Sequence, residues 1–195
     1  MALNLTTSAK KISDEVDIPA SAAPPLFWAV AAFVTEGDVV LRQARSETEP
    51  LGFLTKFQQL GVPFEVQGND LHVWYEAPLS QSELSLENSF SLCLVPLFLK
   101  FPFPITISNI SDSLLPSLEA FVREARRVGA DVKITDLNVL KVAPSKIKAG
   151  RFAFNRDNEV SQALLLLSFL SRGKSTFLGV PSKNPDWVEF FNVQK

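Results

Sequence analysis

Two stretches of the chain share one pattern of apolar and polar residues. In residues 51–66 and 119–134, apolar side chains recur three and four positions apart, as they do on one face of a helix. Each stretch then reaches a glycine, Gly61 or Gly129, which can take the left-handed conformation common just after a helix. Alternating apolar and polar residues follow, a pattern typical of a strand. The pattern therefore predicts a helix, a glycine stop and a strand, used twice.

A second pair of stretches indicates that the repetition continues. Residues 26–41 resemble residues 162–177, since both begin as strongly apolar helices and end in a short strand after Gly37 or Gly173. These glycines lie 136 residues apart, which is twice the 68 residues that separate the first pair. Helices that are apolar nearly all round must be buried. We therefore expect a buried helix in each of these stretches.

The two patterns combine into one repeated unit: strand, helix, strand, helix and hairpin. In the first copy we expect a strand at 16–18, a helix at 21–35, a strand at 39–41, a helix at 50–60, and strands at 63–66 and 71–74. In the middle copy the apolar helix is expected within 84–99, with a strand at 105–107. The predicted organisation is an N-terminal tail at 1–12 and one α/β domain at 13–195 with pseudo-threefold symmetry. Its βαβαββ units are placed at 13–76, 77–145 and 146–195, the last without its final hairpin.

Composition excludes several classes of protein. The 195 residues are 46% hydrophobic and 21% charged, which argues against disorder. The net charge of −2 gives no general reason to bind nucleic acid or an anionic membrane. The most membrane-like run, 90–103, is broken by Pro96, Lys100 and Pro102 and is shorter than the ~20 apolar residues of a spanning helix. Residues 1–11 lack the apolar core of a secretory signal.

Few residues carry distinctive chemistry. Cys93 is the single cysteine, so a disulfide within the chain and a cysteine-rich metal site are both excluded. Its apolar neighbours predict a buried thiol, and a reducing cytoplasm fits. His72 is the single histidine and lies in a predicted strand, where a packing role is expected rather than a metal or serine–histidine site. The glycine-rich nucleotide loops are absent from the sequence, so we expect no cofactor.

One basic cluster lies on a predicted helix. Arg123, Arg126 and Arg127 share this helix with Glu119 and Glu124. Such a mixture usually forms a solvated helix face, and an anion site is the alternative.

Four short stretches resemble, in the same order, motifs of the C-terminal lobe of EPSP synthase, an enolpyruvyl transferase. Residues 19–32 resemble "D-A-S-S-A-S-Y, then F-L-A-A-A-A", and residues 119–132 resemble "E-L-R-K-x-G-A-x-V". Residues 154–157 and the helix after them resemble "Y-N-D-H-R-M-A-M", and residues 182–187 resemble "K-T-F-P-D". Together the matches extend over about residues 16–191 and cover that lobe alone.

The resemblance implies a fold and a chemistry. Each lobe of these enzymes repeats a βαβαββ unit three times, and two lobes close over phosphoenolpyruvate and a hydroxyl acceptor such as shikimate 3-phosphate. The transfer requires cations for two anionic substrates, and an acid and a base for the addition and elimination of phosphate. A single lobe supplies half of that cleft.

The departures from the family pattern put catalysis in doubt. The family's "R-x-K-E-x-D-R" motif has no counterpart, because residues 105–120 contain no lysine or arginine. The "D-H-R" triplet reads D-N-E here, so its histidine and its cation are missing. We therefore assign no catalytic residue and no metal ligand. The resemblance leaves three substrate-binding candidates: Lys183 for phosphoenolpyruvate, Arg156 as a replacement cation, and Asp157.

Three functions stay open at this point. The chain is a non-catalytic domain that binds a ligand or a partner, one half of a split or truncated 3-phosphoshikimate 1-carboxyvinyltransferase, or an enzyme that reuses the fold with other residues. We expect its partner to be a second copy of the chain or a protein that supplies the N-terminal lobe, and its ligand to be an anion like phosphoenolpyruvate. The apolar segments 98–103, 114–115 and 187–191 would border such an interface, or else belong to the core.

Overall fold

The computed structural model describes residues 5–7, 13–17, 24–44, 52–76, 84–87, 91–135 and 138–179, with the backbone alone for 5–7, 13–17 and 84–87. These residues form the following strands and helices: β1 (Leu5–Thr7), β2 (Ser13–Asp17), α1 (Pro25–Val34), β3 (Asp38–Arg42), α2 (Leu54–Leu60), β4 (Phe64–Gln67), β5 (Asp70–Trp74), β6 (Leu84–Glu87), α3 (Leu94–Lys100), β7 (Ile105–Ser108), α4 (Leu115–Arg127), β8 (Asp131–Thr135), β9 (Val139–Ala143), β10 (Arg151–Ala153), α5 (Asn158–Phe169) and β11 (Ser175–Leu178).

The elements fall into two compact units. The first unit holds α1, α2 and a four-stranded sheet in the order β2-β3-β5-β4, called the first sheet below. The second unit holds α3, α4 and α5 with two sheets: the second sheet, β6-β7-β9-β8, and the third sheet, β1-β11-β10. Both four-stranded sheets join a parallel pair to an antiparallel hairpin, so each is built by the predicted βαβαββ order.

The register of the first two sheets repeats as well as their order. In the first sheet Val39 pairs with Val73, which pairs with Phe64 across the hairpin. In the second sheet the equivalent row is Ile105, Val142 and Val132. Apolar side chains fill both rows because one face of each sheet is covered by helices, and a shift of one residue would turn that face to water.

Helices α1 and α5 are buried along nearly their whole length. Every residue from 27 to 34 and from 160 to 169 is buried, as the mainly apolar sequence predicts, and α5 buries Ser161, Gln162 and Ser168 as well. Pro25 lies in the first turn of α1, where its missing N–H leaves no bond unmade. Helix α4 differs, because it buries one stripe (Leu118, Phe121, Val122 and Ala125) and leaves the other side to solvent.

Helices α2 and α4 end as the sequence predicts. Gly61 and Gly129 have φ values of 67° and 97°, in the left-handed region. The amides that follow them donate back across the last turn, from Val62 to Phe57 O and from Ala130 to Ala125 O. This arrangement satisfies carbonyl groups that the helix itself leaves unpaired.

Two segments of the chain contain strands that the sequence analysis did not list. The helix expected within 84–99 is α3, which begins at Leu94, whereas residues 84–87 form strand β6, in which leucine alternates with serine and glutamate. Residues 5–7, inside the expected tail, form β1 and pair antiparallel with β11. Their short Leu-Thr-Thr sequence carries no periodicity that a sequence analysis could detect. The unit boundaries themselves stay predictions.

The segment 98–103 belongs to the core. Phe98, Phe101 and Phe103 are buried within the chain. Leu114 and Leu115 are half-buried, and the third apolar segment, 187–191, lies outside the described residues. In the part of the chain that the structure describes, no helix is long and apolar enough to cross a membrane.

Candidate functional site

The start of α5 holds two of the three residues that the resemblance singles out. Asp157 precedes the first turn of the helix, and its Oδ1 accepts hydrogen bonds from the amides of Glu159 at 2.9 Å and Val160 at 3.4 Å. Its own amide donates to Asn155 Oδ1 at 3.0 Å, which shapes the turn into the helix. Arg156 lies in this turn with its side chain exposed to solvent. Asp157 is therefore a helix cap.

Glu159 joins the start of α5 to the loop before α3. Its Oε1 accepts hydrogen bonds from Ser91 Oγ at 2.6 Å and from the Leu92 amide at 2.8 Å. On the other side of the helix start, Ser117 of α4 donates its hydroxyl to Asp157 Oδ2. The first turn of α5 is therefore tied to α4 and to the loop before α3 by two carboxylates and two serines. We call these four residues (Ser91, Ser117, Asp157 and Glu159) the α5 cluster.

The charges of the α5 cluster decide what it can bind. A helix N-terminus carries a partial positive charge that would attract an anion. Here Asp157 and Glu159 already place two carboxylates there, and both accept hydrogen bonds from within the chain. A phosphate arriving at this helix start would meet negative charge and no vacant cap position. The cluster thus fastens three segments together and is poorly suited to hold an anionic substrate.

Cys93 lies two residues after Ser91 of the α5 cluster, and its thiol is unreactive at neutral pH. Its side chain is buried, and its thiol donates to Gln162 Oε1 at 3.8 Å. Burial raises the pKa of the Cys93 thiol to about 12; the hydrogen bond with Ser91 lowers it and the charge of Glu159 raises it further. Because the thiolate is the reactive form, this cysteine is not a nucleophile at neutral pH. The prediction of a buried structural thiol is confirmed.

His72 pairs with an aspartate on the neighbouring strand. Its Nε2 lies 2.5 Å from Asp38 Oδ1, and its ring lies 4.8 Å from the ring of Trp74. Both partners are partly exposed on the first sheet. Among the described residues, no three His, Cys, Asp or Glu side chains are grouped so that they could hold a metal ion.

The structure brings together only part of the predicted set. Arg156 and Asp157 are neighbours in the turn before α5, whereas Lys183 lies outside the described residues. The sequence analysis missed the role of Glu159, which it read only as a lost cation. An aspartate cap followed two positions later by an acidic residue in the first helical turn is a recognisable signal of a helix start. That signal would have identified Asp157 as a cap, but not the contact of Glu159 with the loop before α3.

Comparison with known proteins identifies the fold. No protein-family model matches the sequence, and no curated protein matches it. Among solved structures, the enolpyruvyl transferase NikO from Streptomyces tendae is similar with a TM-score of 0.64 and 14% identity, covering 86% of this chain and 40% of that one. An EPSP synthase from Acinetobacter baumannii is similar with a TM-score of 0.59 and 16% identity, covering 90% of this chain and 42% of that one.

A second structure described as EPSP synthase from Acinetobacter baumannii gives a TM-score of 0.60 at 15% identity, covering 86% of this chain and 43% of that one. This chain therefore has the enolpyruvyl transferase fold over about two fifths of the length of these enzymes, as expected for a single lobe. The predicted fold class is confirmed. At these identities the similarity concerns the fold alone.

Proposed function

We propose that this chain is an EPSP-synthase-like single lobe that carries out no enolpyruvyl transfer by itself and acts by binding a ligand or a partner protein. The observation that carries this proposal is the state of the α5 cluster. The resemblance aligns this helix start with a motif that contains a histidine and a cation. In this chain the same place holds Asp157 and Glu159, both engaged in hydrogen bonds with the chain itself.

The segment between β7 and α4 supports the same conclusion. The resemblance expects a lysine and arginines there, and residues 105–120 have none. The side chains between β7 and α4 are neutral or acidic: the hydroxyls of Ser111 and Ser113 share a hydrogen bond of 2.8 Å, and Asp112 Oδ1 accepts one of 2.8 Å from the side-chain Nδ2 of Asn138. An enzyme that joins two anionic substrates needs fixed positive charge where negative charge develops. Residues 105–120 supply none, and at the start of α5 Arg156 is exposed to solvent beside the carboxylates of Asp157 and Glu159.

The direct test is phosphate release from phosphoenolpyruvate in the presence of shikimate 3-phosphate. We expect the isolated chain to release no more phosphate than the protein-free blank. The control variant is Lys183→Ala, which removes the one family-like cation that the resemblance leaves. Release that requires the wild-type protein and disappears in Lys183→Ala would show that the lobe is catalytic and would end the proposal.

The second candidate is one half of a split 3-phosphoshikimate 1-carboxyvinyltransferase. It is favoured by the coverage, since nearly the whole of this chain superposes on about two fifths of each similar enzyme. Native mass spectrometry of the untagged protein, purified from the cells that make it, separates the two candidates. A stable complex with a second protein that carries the other lobe, active only when both are present, supports the split enzyme. The mass of one chain, or of two copies, with or without a small ligand, supports the binding lobe.

A further inference from the structure

A groove runs along the exposed side of α4, between this helix and β8. Its volume is about 810 Å³. The groove is wide open to solvent, so this volume describes a surface depression and not an enclosed pocket. It is formed by Glu119, Val122, Arg123, Arg126, Arg127, Ile134 and Thr135, and we call it the α4 groove. None of these residues belongs to the α5 cluster.

Three arginines and one glutamate, Glu119, line the α4 groove, so it carries more positive than negative charge. Glu124 is shared by two arginines, since it pairs with Arg127 and lies 3.8 Å from Arg123 Nε. Arg123 and Arg127 keep more than half of their side-chain surface exposed, at 70% and 60%. Arg126 is exposed and forms no ion pair with another residue that the structure describes. Their guanidinium groups therefore stay accessible to a ligand in solution.

Helix stability accounts for only part of this cluster. Cations in the last turn of a helix interact favourably with its C-terminal partial charge, and Arg126 and Arg127 lie in the last turn of α4. Arg123 lies one turn earlier and gains little from that effect, which fades beyond the last turn. Its pair with Glu124 is an exposed one, a kind worth little.

The first unit provides an internal comparison for the three arginines. Counted back from the glycine that ends each helix, Arg123, Arg126 and Arg127 correspond to Thr55, Gln58 and Gln59 of α2. Helix α2 forms and ends in the same way with these neutral residues. The fold therefore does not require arginine at these positions, and α4 has three arginines where α2 has none.

The lining of the α4 groove adds an apolar floor. Val122 is buried and Ile134 is half-buried, and both lie beside the arginines. Guanidinium groups bind phosphate through paired, charge-assisted hydrogen bonds. We propose that the α4 groove binds a small organic phosphate, with its phosphate on Arg123 and Arg126 and its apolar body over Val122 and Ile134. The proposal is independent of the proposed lack of catalysis.

Phenyl phosphate is a suitable probe, followed by amide NMR shifts of the whole chain. We expect saturable shifts confined to residues 119–135. The triple variant Arg123→Thr, Arg126→Gln, Arg127→Gln carries the residues of the first unit. We expect it to bind at least about tenfold more weakly, a loss of about 1.4 kcal/mol, while its circular dichroism stays that of the wild type. The mirror variant Thr55→Arg, Gln58→Arg, Gln59→Arg tests whether three arginines on α2 create the same binding there.

Three results would overturn the proposal. The first is the absence of shifts in 119–135 at phenyl phosphate concentrations up to about 10 mM, where even a weak site would begin to fill. The second is equal affinity of the wild type and the triple variant. The third is equal affinity for inorganic phosphate and phenyl phosphate, because the apolar floor would then contribute nothing. Each of these can occur whether or not the chain releases phosphate from phosphoenolpyruvate.

Discussion

Helices α2 and α4 occupy the same place in the first and second sheets, yet they fill their cores differently. In α4 the buried aromatic side chain is Phe121, and Ala125 lies one turn later. In α2 the equivalent positions are Phe53, which is half-buried, and Phe57, which is fully buried. The rings of Phe53 and Phe57 pack edge to face, with their centroids 5.3 Å apart. Each helix therefore buries one phenylalanine ring completely, called the aromatic anchor below. The anchor is Phe121 in α4, and in α2 it is Phe57, one turn later in the equivalent sequence.

The outer faces of the two helices differ more than their cores. The outer side of α4 carries arginines and glutamates, whereas that of α2 carries threonine, glutamine and one lysine, Lys56. Core positions are constrained by close packing, so a change at one is compensated at another. Surface positions are free of that constraint. We infer that the buried apolar residues determine the fold. Residues that serve a function are then expected at exposed positions that differ between the two units.

The largest expected effect tests the displaced anchor. Phe121→Ala removes a fully buried ring and should lower the free energy of unfolding by about 3–5 kcal/mol. Phe53→Ala removes a half-buried ring at the equivalent position and should cost clearly less, while Phe57→Ala should cost as much as Phe121→Ala. Urea unfolding followed by circular dichroism measures all three. Equal losses in Phe53→Ala and Phe121→Ala would mean that the anchor has not moved.

A smaller effect tests the two helix ends. Gly61→Ala and Gly129→Ala each place a Cβ atom in the left-handed region, which should cost about 1–2 kcal/mol. The loss should be greater at Gly129, because a Cβ there would also lie 3.2 Å from the carbonyl oxygen of Lys146. The same urea experiment measures both variants. If Gly129→Ala proved as stable as the wild type, the helix would not need its left-handed turn.

Much of the fold could be predicted because apolar spacing and glycine stops are local signals. Helix α2 and its hairpin lie within a few residues of their expected bounds. Strand β6 was not separated from the helix expected within 84–99 because its alternation, Leu-Ser-Leu-Glu, is only four residues long. Strand β1 was missed because its partner β11 is distant in sequence. The pairing of β1 with β11 leaves no trace in the local pattern of apolar and polar residues.

The candidate site could be predicted less well, and for a physical reason. The resemblance selected Arg156 and Asp157 by their positions in a motif, but a motif does not report what a side chain bonds. Glu159 binds the loop before α3, 67 residues away, and such a contact exists only in the folded chain. By contrast, the correspondence between Arg123 and Thr55 could have been found from the sequence alone, by counting back from Gly129 and Gly61. That comparison needed the repeat and no coordinates.

The smallest expected effect concerns a charged contact of the first sheet. The pKa of Asp70 is held below its ordinary value of 3.8, first by the hydrogen bond from the Gln43 amide and then by Arg42. A carboxyl whose pKa is lower in the folded state stabilises the fold above its unfolded pKa, and this contribution disappears as the pH falls through the folded pKa.

Between about pH 5 and pH 2, Asp70→Asn should therefore lose less stability than the wild type. Arg42→Gln should lie between the two, because the larger contribution comes from the Gln43 amide, which it leaves in place. Urea midpoints measured across this range decide the matter, and parallel curves for Asp70→Asn and the wild type would show that the contact does not contribute to the acid sensitivity of the first unit.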